Sequence, residues 1–410
     1  MDRRTLLKTS ALGVLGLRLG GCASGPGGGA VPSLTAVRAS WDRVIRTTVG
    51  LRPYRASGFV LRGERLDAKT LIHNYGHGGS GMSLSWGTSF MAAEMAAEQE
   101  DRRAAVIGCG VVGLTTARQL QRLGFDVTIY AMAVPPNTTS NMSLASFTPT
   151  SGLVATDQRT AAWEAQFRRA VEIAYKQLQL LVGPKYGISW INGYSMLEAP
   201  PANTTTQQES GSRPPSLLPP EFRTGSVIFG PGEHPFPTPY VSLRSNIGIE
   251  PSIYLDALMA DVLLYGGDIV IRQFDTPRDL MSLDESVIVN CTGLGSSTLF
   301  SDSELTPVKG QLTVLVPQPE VDYNTFGGLR RSTGGFGLHM QQRSDGIILG
   351  GTSERGVWSL EPNEEARRRV VEGHIELFDA MRTMSGGTPL VSTGPPDHIP
   401  PVESFFGLNS

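Results

Sequence analysis

The spacing of apolar residues divides the chain into helical, extended and irregular stretches. Between Leu34 and Val49, the residues Val37, Trp41, Val44 and Ile45 recur at helical spacing, which predicts a short helix ended by Pro53. A hairpin near Arg62 to Leu66 leads to a strand at Thr70 to His73 that stops in the glycine-rich run Asn74 to Gly81. Ser83 to Glu98, with Leu84, Phe90, Met91, Met95 and several alanines, predicts a helix. After the loop Gln99 to Arg103, the apolar run Ala104 to Ile107, a glycine turn, an apolar helix and a second extended run predict one βαβ unit. Further helices are expected at Ile253 to Leu264 and Glu364 to Met381. Strands are expected near Asp268 to Arg272, Val287 to Asn290, Gln311 to Val316 and Gly346 to Gly350. Two proline-rich stretches break both periods: 199–222 is expected as an exposed loop and 385–410 as an extended tail.

Composition narrows the function classes. At 410 residues the chain has room for two domains, or for one large domain with an inserted region. With 40% hydrophobic and 18% charged residues it is globular rather than disordered. Its 35 basic and 38 acidic residues leave a net charge of -3, which excludes the electrostatic footprint of a nucleic-acid binder. Cys22, Cys109 and Cys291 are too few and too scattered for a disulfide framework or a cysteine zinc site. The first residues have the grammar of an export signal: Arg3 and Arg4, then the apolar stretch Ala11 to Leu17, then small residues before Cys22. That stretch is far shorter than the ~20 residues of a membrane span. Arg3-Arg4 with Thr5, Leu6, Leu7 and Lys8 resembles a twin-arginine signal, and Leu19-Gly20-Gly21-Cys22 resembles a lipoprotein box that would acylate Cys22. If the signal is used, the protein is expected outside the cytoplasm, in the periplasm or on an extracytoplasmic membrane face. If it remains as an uncleaved tail, the protein is expected in the cytoplasm.

The chemistry begins at Gly108, Gly110 and Gly113, a G-x-G-x-x-G placed between an apolar strand and an apolar helix. The first glycine allows the sharp turn, the second lets a pyrophosphate approach, and the third lets helix pack on strand. The helix start at Val111 and Val112 offers its N–H groups to phosphate charge. The second strand, Thr128 to Val134, reads TIYAMAV and lacks the acid that usually accepts ribose hydroxyls, which favours FAD over NAD. Thr138, Thr139 and Ser140 are candidates for phosphate and ribose contacts in its place. His73 and His77 flank Asn74, Tyr75 and Gly76, a poor helix, so they are expected as structural histidines rather than metal ligands.

Several strings, VIGCGVVGLTTARQL, TIYAMAVPPNTTSN, VIVNCTGLGSSTL, PVKGQ, GLRPYR and HNYGHGGSGMSLSWG, together resemble the D-amino acid oxidase family from about Trp41 to Met381. In that family the glycine triplet opens the chain and the arginine and HNYGHGG segments close it. Here they precede the triplet, so the order resembles a circular permutation. The resemblance implies an α/β fold: a doubly wound, Rossmann-like FAD-binding domain plus an α+β substrate domain with a mixed, largely antiparallel sheet, each assembled from separate stretches. The expected segments are 1–33 signal and tether, 34–57 substrate domain with the carboxylate-binding arginine, 58–155 FAD domain and 156–245 substrate domain. They continue as 246–300 FAD domain, 301–384 substrate domain and 385–410 tail.

The same resemblance implies the site. Arg52 matches the carboxylate anchor, a planar guanidinium able to make two parallel hydrogen bonds, while Arg55 is expected as structural. The loop Gly78, Gly79, Ser80, Gly81, Met82 and Ser83 is expected beside the flavin, with the Gly79 carbonyl accepting the substrate amine and Ser83 bonding the cofactor. Thr292 and Gly293 are expected to line the cofactor too. The family's tyrosines are missing from GGFGLHMQQRSDGIILGG, where Gly335, Phe336, Leu338 and His339 stand instead, His339 either as a substitute polar contact or as a core or surface histidine. Tyr323 is expected in a lid loop. The implied activity is FAD-dependent oxidation of a D-amino acid or related amine, with oxygen as acceptor. The alternatives are a dehydrogenase passing electrons to a membrane quinone and a flavin-binding protein without catalysis.

Overall fold

A computed structural model describes residues 32–201, 217–329, 337–390, 394–395 and 402–404. Its elements in chain order are β1 (Val44–Tyr54), β2 (Val60–Leu66), β3 (Lys69–Tyr75), α1 (Gly81–Ala97), β4 (Arg103–Ile107), α2 (Val111–Arg122), β5 (Asp126–Ala131) and α3 (Ala161–Leu180). There follow β6 (Ile188–Leu197), β7 (Val227–Phe229), β8 (Tyr240–Ile249), α4 (Pro251–Leu264), β9 (Asp268–Ile271), β10 (Val287–Asn290) and α5 (Ser296–Leu299). The last are β11 (Thr306–Leu315), β12 (Tyr323–Phe326), β13 (His339–Arg343), β14 (Gly346–Gly350), β15 (Glu354–Arg355), α6 (Glu364–Met384) and β16 (Val402–Ser404). No helix among the described residues is long and apolar enough to cross a membrane.

Two sheets organise these elements. The first has six strands in the order β2, β3, β10, β4, β5, β9. It is parallel from β3 to β9, with β2 antiparallel on the edge. Its central strands are short apolar runs because both faces are covered. On one face Ile72, Val106 and Ile129 pack with Leu84 of α1, Leu114 of α2 and Phe167 of α3. On the other, Leu71, Ala105, Ile107 and Ile288 pack against Phe274, Leu280, Leu283 and Leu299.

The second sheet runs β16, β1, β11, β14, β13, β12, β6, β8, β7, with β15 paired to β11. One face carries α6, whose Val370, Val371, Leu377 and Phe378 bury Tyr194, Tyr323, Met340 and Leu349. The opposite face is crossed by the segment after β5, with Leu144 packed on Leu312, Val314 and Ile348.

Three expectations change. The helix expected over Leu34 to Val49 is instead a 3-10 turn at Trp41–Arg43 followed by β1, paired to β11 from Val44 opposite Leu315 to Tyr54 opposite Thr306. The β-branched residues Val44, Ile45, Thr47, Thr48 and Val49 favour the pleated strand, and ladder pairing outweighs the helical spacing. Pro53 lies inside this strand opposite Pro307, so two residues without a donor face each other. Second, the structure adds α3, β6 and β8, for which the hydrophobic pattern above predicts nothing. The segment 156–245 is thereby divided, α3 packing in the core of the first sheet and β6 and β8 joining the second. Third, the tail contains β16, which pairs in parallel with Thr47 to Val49 of β1. The loop 199–222 falls largely outside the described residues.

Helices α1 and α3 cross at Gly87, where an added Cβ would overlap the Ala170 carbonyl group. Gly87→Ala is therefore expected to cost about 2–3 kcal/mol of stability through overpacking. Gly63→Ala, at a position with open space around it, is expected to change stability by less than about 0.5 kcal/mol. Urea unfolding midpoints of the two variants check this, and equal midpoints would contradict the crossing.

Candidate functional site

Strands β3, β10 and β4 are neighbours and parallel, so their carboxyl ends open on one edge of the first sheet. From β4 the chain turns through Gly108, Cys109 and Gly110 into α2. Gly108 has φ +112, and a Cβ there would lie 2.6 Å from the Cys291 carbonyl oxygen. A Cβ on Gly113 would overlap the Gly108 carbonyl, so α2 rests directly on the turn. Gly110 is the open position, its nearest neighbour being Ser140 Oγ, 3.2 Å from an ideal Cβ. Gly110 supplies no side-chain cap to α2, and Val111 N–H donates to Ser140 Oγ at 3.0 Å. The carbonyl of Val112 accepts from Ser89 within the helix packing. Gly81, the first residue of α1, lies against Val111, so the starts of two helices stand side by side. Their positive ends, with a glycine cradle that any Cβ at Gly110 would narrow, fit a dinucleotide pyrophosphate.

The flanks of this edge are held by side-chain bonds. Buried Thr138 donates to Asn141 Oδ1 at 2.7 Å, and Met142 N–H donates to the Thr139 carbonyl at 3.2 Å, which folds 138–142 into a tight turn beside Gly110. Thr292 donates to Asn290 Oδ1 at 2.8 Å, and Gly293 takes φ +60. Asn290 Nδ2 contacts His73 Nδ1 at 3.0 Å, and His73 Nε2 meets Glu64 at 3.1 Å. His77 Nε2 bonds Thr88 Oγ1 at 3.0 Å. Both histidines thus have partners inside the protein, and no group of acidic, histidine and cysteine side chains suited to a metal is found among the described residues.

The loop 78–83 joins the two sheets. Gly78 N–H donates to the Pro53 carbonyl of β1 at 2.8 Å with φ +56, and its Cα faces the backbone of Gly152. Ser80 Oγ donates to the Ser151 carbonyl at 2.8 Å. Met82 is buried in the core of the first sheet. Ser83 Oγ donates to the Ser146 carbonyl at 3.0 Å and accepts from Thr148 N–H at 2.8 Å. Its one proton is committed to the protein, so a cofactor could meet only a lone pair.

Arg52 and Arg55, both on or just after β1, have opposite surroundings. Arg55 is saturated, with Nε on Asp302 at 2.8 Å, a terminal nitrogen on Glu304 at 2.7 Å, and further bonds to Ser57 and the Gly58 carbonyl. Arg52 is half-buried and has no hydrogen bond or ion pair among the described residues. Burial lowers its pKa, so an unpaired cation is held in a partly dry place. Its guanidinium lies over Gly310, where a Cβ would come within 2.8 Å, and its Cδ lies 3.5 Å from an ideal Cβ on Gly79. His339 shares this face: its ring covers Gly350, and burial, His374 and the Arg52 charge push its pKa down to about 4, leaving it neutral. The structure therefore gathers Arg52, Gly79 and His339 and adds Gly310 and Gly350, whose missing side chains make the space.

Other candidates lie elsewhere. Tyr323 is a fully buried residue of β12 rather than part of a lid, its hydroxyl donating to the Thr35 carbonyl at 2.8 Å. Aromatic packing against Tyr194 and Phe236 draws it into the core under α6. Leu338 is buried in the same core. Gly335 and Phe336 lie outside the described residues.

Three buried histidines set a pH limit. Burial lowers His77 to about 3, and burial first lowers His339 and His374 to about 4. The unfolded chain binds these protons near pH ~6.5, the native state only well below, so stability is full above that value and falls as pH drops towards 4. Unfolding free energy is expected to fall by up to about 1.4 kcal/mol per pH unit for each such histidine. His374→Asn should flatten the slope by one proton, and an unchanged slope between pH 7 and 5 would contradict its neutral burial.

The family model described as FAD dependent oxidoreductase (DAO) matches residues 103–405. The D-amino-acid oxidase of Rubrobacter xylanophilus is 30% identical over 293 residues, covering 68% of this chain and 78% of that protein. The D-amino-acid oxidase of Streptomyces coelicolor is 28% identical over 275 residues, covering 67% and 77%. Among solved structures, glycine oxidase from Bacillus cereus ATCC 14579 has a TM-score of 0.47 at 15% identity, covering 69% of this chain and 80% of that one. With a glycine cradle that fits the dinucleotide and a match across most of its length, the chain belongs to the DAO family of FAD-dependent oxidoreductases.

Proposed function

We propose that the protein oxidises the amine of a D-amino acid, or of a related compound, to an imino acid that hydrolyses to an oxo acid and ammonia, with oxygen as acceptor and hydrogen peroxide as product. The observation that carries this reading is the unpaired Arg52 guanidinium beside Gly79 and neutral His339. Bound FAD supplies the acceptor for the two electrons and the hydrogen that leave the substrate Cα. Gly108, Gly110, Gly113 and the first turn of α2 would hold its pyrophosphate, flanked by Thr138 to Ser140 and by Thr292 and Gly293.

The protein's own residues do the positioning. Arg52 holds the substrate carboxylate through paired hydrogen bonds, and burial strengthens that pairing. The Gly79 carbonyl accepts from the amine. His339, uncharged at neutral pH, offers a hydrogen bond without placing a second charge next to Arg52. Two helix starts and the 78–83 loop favour negative charge at the cofactor's edge.

The same reading covers the arrangement of the chain. The family match begins at Arg103, the first residue of β4, while Arg52 and the 73–83 run precede it, which supports a permuted order. Export through the Arg3-Arg4 signal and acylation of Cys22 would set the enzyme on an extracytoplasmic membrane face.

A yellow holoprotein whose flavin absorbance bleaches anaerobically with D-amino acids and not with their L-enantiomers is the expected result. Arg52→Met should stay yellow and raise KM about 100-fold or more, the loss of charge-assisted hydrogen bonds to a carboxylate. An unchanged KM would remove the anchor role, and a yellow protein that no amine bleaches would indicate flavin binding without catalysis. Dye reduction without peroxide would replace oxygen by a quinone-type acceptor.

A further inference from the structure

The first sheet ends on one side in β2 and on the other in β9, and the two edges differ. β2 carries Arg62, Glu64 and Arg65, exposed charges of the kind that keep an edge from pairing. β9 reads Asp268-Ile269-Val270-Ile271 and runs on into Arg272, with Val270 exposed and Ile271 65% exposed. Among the described residues only β5 pairs with it. Arg272 N–H donates to the Ala131 carbonyl of β5 at 2.9 Å, and backbone groups alternate sides along a strand. Ile269 and Ile271 therefore turn their N–H and C=O groups to the free side.

The chain leading into β9 is apolar as well. Leu263 and Leu264 close α4 exposed, Leu264 to 76%. The turn that joins them to β9 is firmly held. Gln121 Nε2 donates to the Val262 and Tyr265 carbonyls at 2.9 and 3.3 Å, and the Arg118 guanidinium lies 3.9 Å from the centre of the Tyr265 ring. Leu263, Leu264, Val270 and Ile271 thus form a fixed apolar surface at one edge of the molecule, the kind of surface that marks an interaction site.

The charges say what covers it. Asp268 and Arg272 bracket the strand with opposite signs, and neither has an ion pair among the described residues. Arg272 donates to Ser282 Oγ at 2.6 Å and lies 4.7 Å from the centre of the Phe274 ring, both neutral groups. A strand that is negative at its start, positive at its end and apolar between is complementary to itself when turned around. In an antiparallel pairing centred on Val270, that residue faces Val270 of the second copy and Asp268 faces Arg272 at both ends. Ile269 and Ile271 then form the pairs that exchange backbone hydrogen bonds. Moving the centre to Ile269 or Ile271 would set Asp268 against Val270 or Phe274 and lose both charge matches. The two-fold axis keeps each face of the sheet on its own side, so the leucine-bearing end of α4 comes towards Ile271 of the second copy, on the face that Ile269 shares.

We propose that two copies of this chain join through β9, making one continuous sheet from the two six-stranded ones across a two-fold axis at Val270. A lipid surface would cover the leucines but leave the backbone groups of Ile269 and Ile271 without partners, so a second strand is the better occupant.

The test is the mass of the flavin-loaded full chain by sedimentation equilibrium, where the parent should behave as two copies. Asp268→Arg places like charges opposite each other twice per pair and should raise the dissociation constant about 10-fold or more. Adding Arg272→Asp reverses both charges and should restore the parent value, which a general loss of folding could not do. Val270→Cys, with Cys22 replaced by serine, should give a covalent dimer with oxidised glutathione, because facing residues at the axis come within disulfide reach. Val227→Cys, exposed on β7 at the end of the other sheet, should not. A monomeric parent, an Asp268→Arg variant that pairs as tightly as the parent, a double variant as weak as the single one, or equal cross-linking from both cysteines would overturn the interface. A monomeric parent that floats with anionic phospholipid vesicles would overturn it in favour of a lipid surface.

Discussion

Arg52 and Gly79 belong to different sheets, and the hydrogen bond from Gly78 N–H to the Pro53 carbonyl sets how they meet. β1 delivers the guanidinium from the second sheet, while the turn after β3 delivers the loop and the start of α1 from the first. A one-residue slip of β1 would turn Arg52 to the opposite face of the sheet, where Lys309 and Gln311 already bond the Glu361 and Asn363 carbonyls. The register of β1 on β11 and the bond at Pro53 therefore fix one geometry together. Arg55 reinforces it: its ion pairs to Asp302 and Glu304 tie the end of β1 to the stretch that leads into β11.

Much of the site is built by what is left out. Gly113 lets α2 touch the turn of Gly108, Gly310 makes room for a guanidinium, and Gly350 makes room for an imidazole. At each place a methyl group would collide with backbone or with the functional side chain itself. The guanidinium placed in this way has no counter-charge among the described residues, whereas Arg55 nearby is fully paired. That contrast separates Arg52 from an arginine that holds the fold together.

The first sheet was largely legible in the sequence because its strands are continuous apolar runs bounded by glycines, and the G-x-G-x-x-G context located α2 and β5 directly. β1 was not, since Val37, Trp41, Val44 and Ile45 fall at helical spacing by coincidence and the deciding influence, pairing with β11, is more than two hundred residues away in the chain. β6 and β8 escaped because one face carries Ser195, Ser242, Arg244 and Gly193 where a simple core strand would carry apolar residues. α3 does carry a regular signal, Trp163, Phe167, Ala170, Ala174 and Leu178, which a closer periodicity count would find. For the site itself, motif identity pointed to Arg52 and Gly79. The burial of Tyr323, the committed proton of Ser83 and the room made by Gly310 are tertiary facts that no local pattern encodes.

The short strand β16 adds one more constraint. It lies in parallel on Thr47 to Val49 and so covers the outer edge of β1, the strand that carries Arg52. Without it, that stretch would present unpaired N–H and C=O groups at the end of a large sheet, the arrangement by which molecules join edge to edge. Strand β16 thus shields the outer edge of β1 from self-association, and a chain that stopped before Val402 would give up solubility before it gave up Arg52.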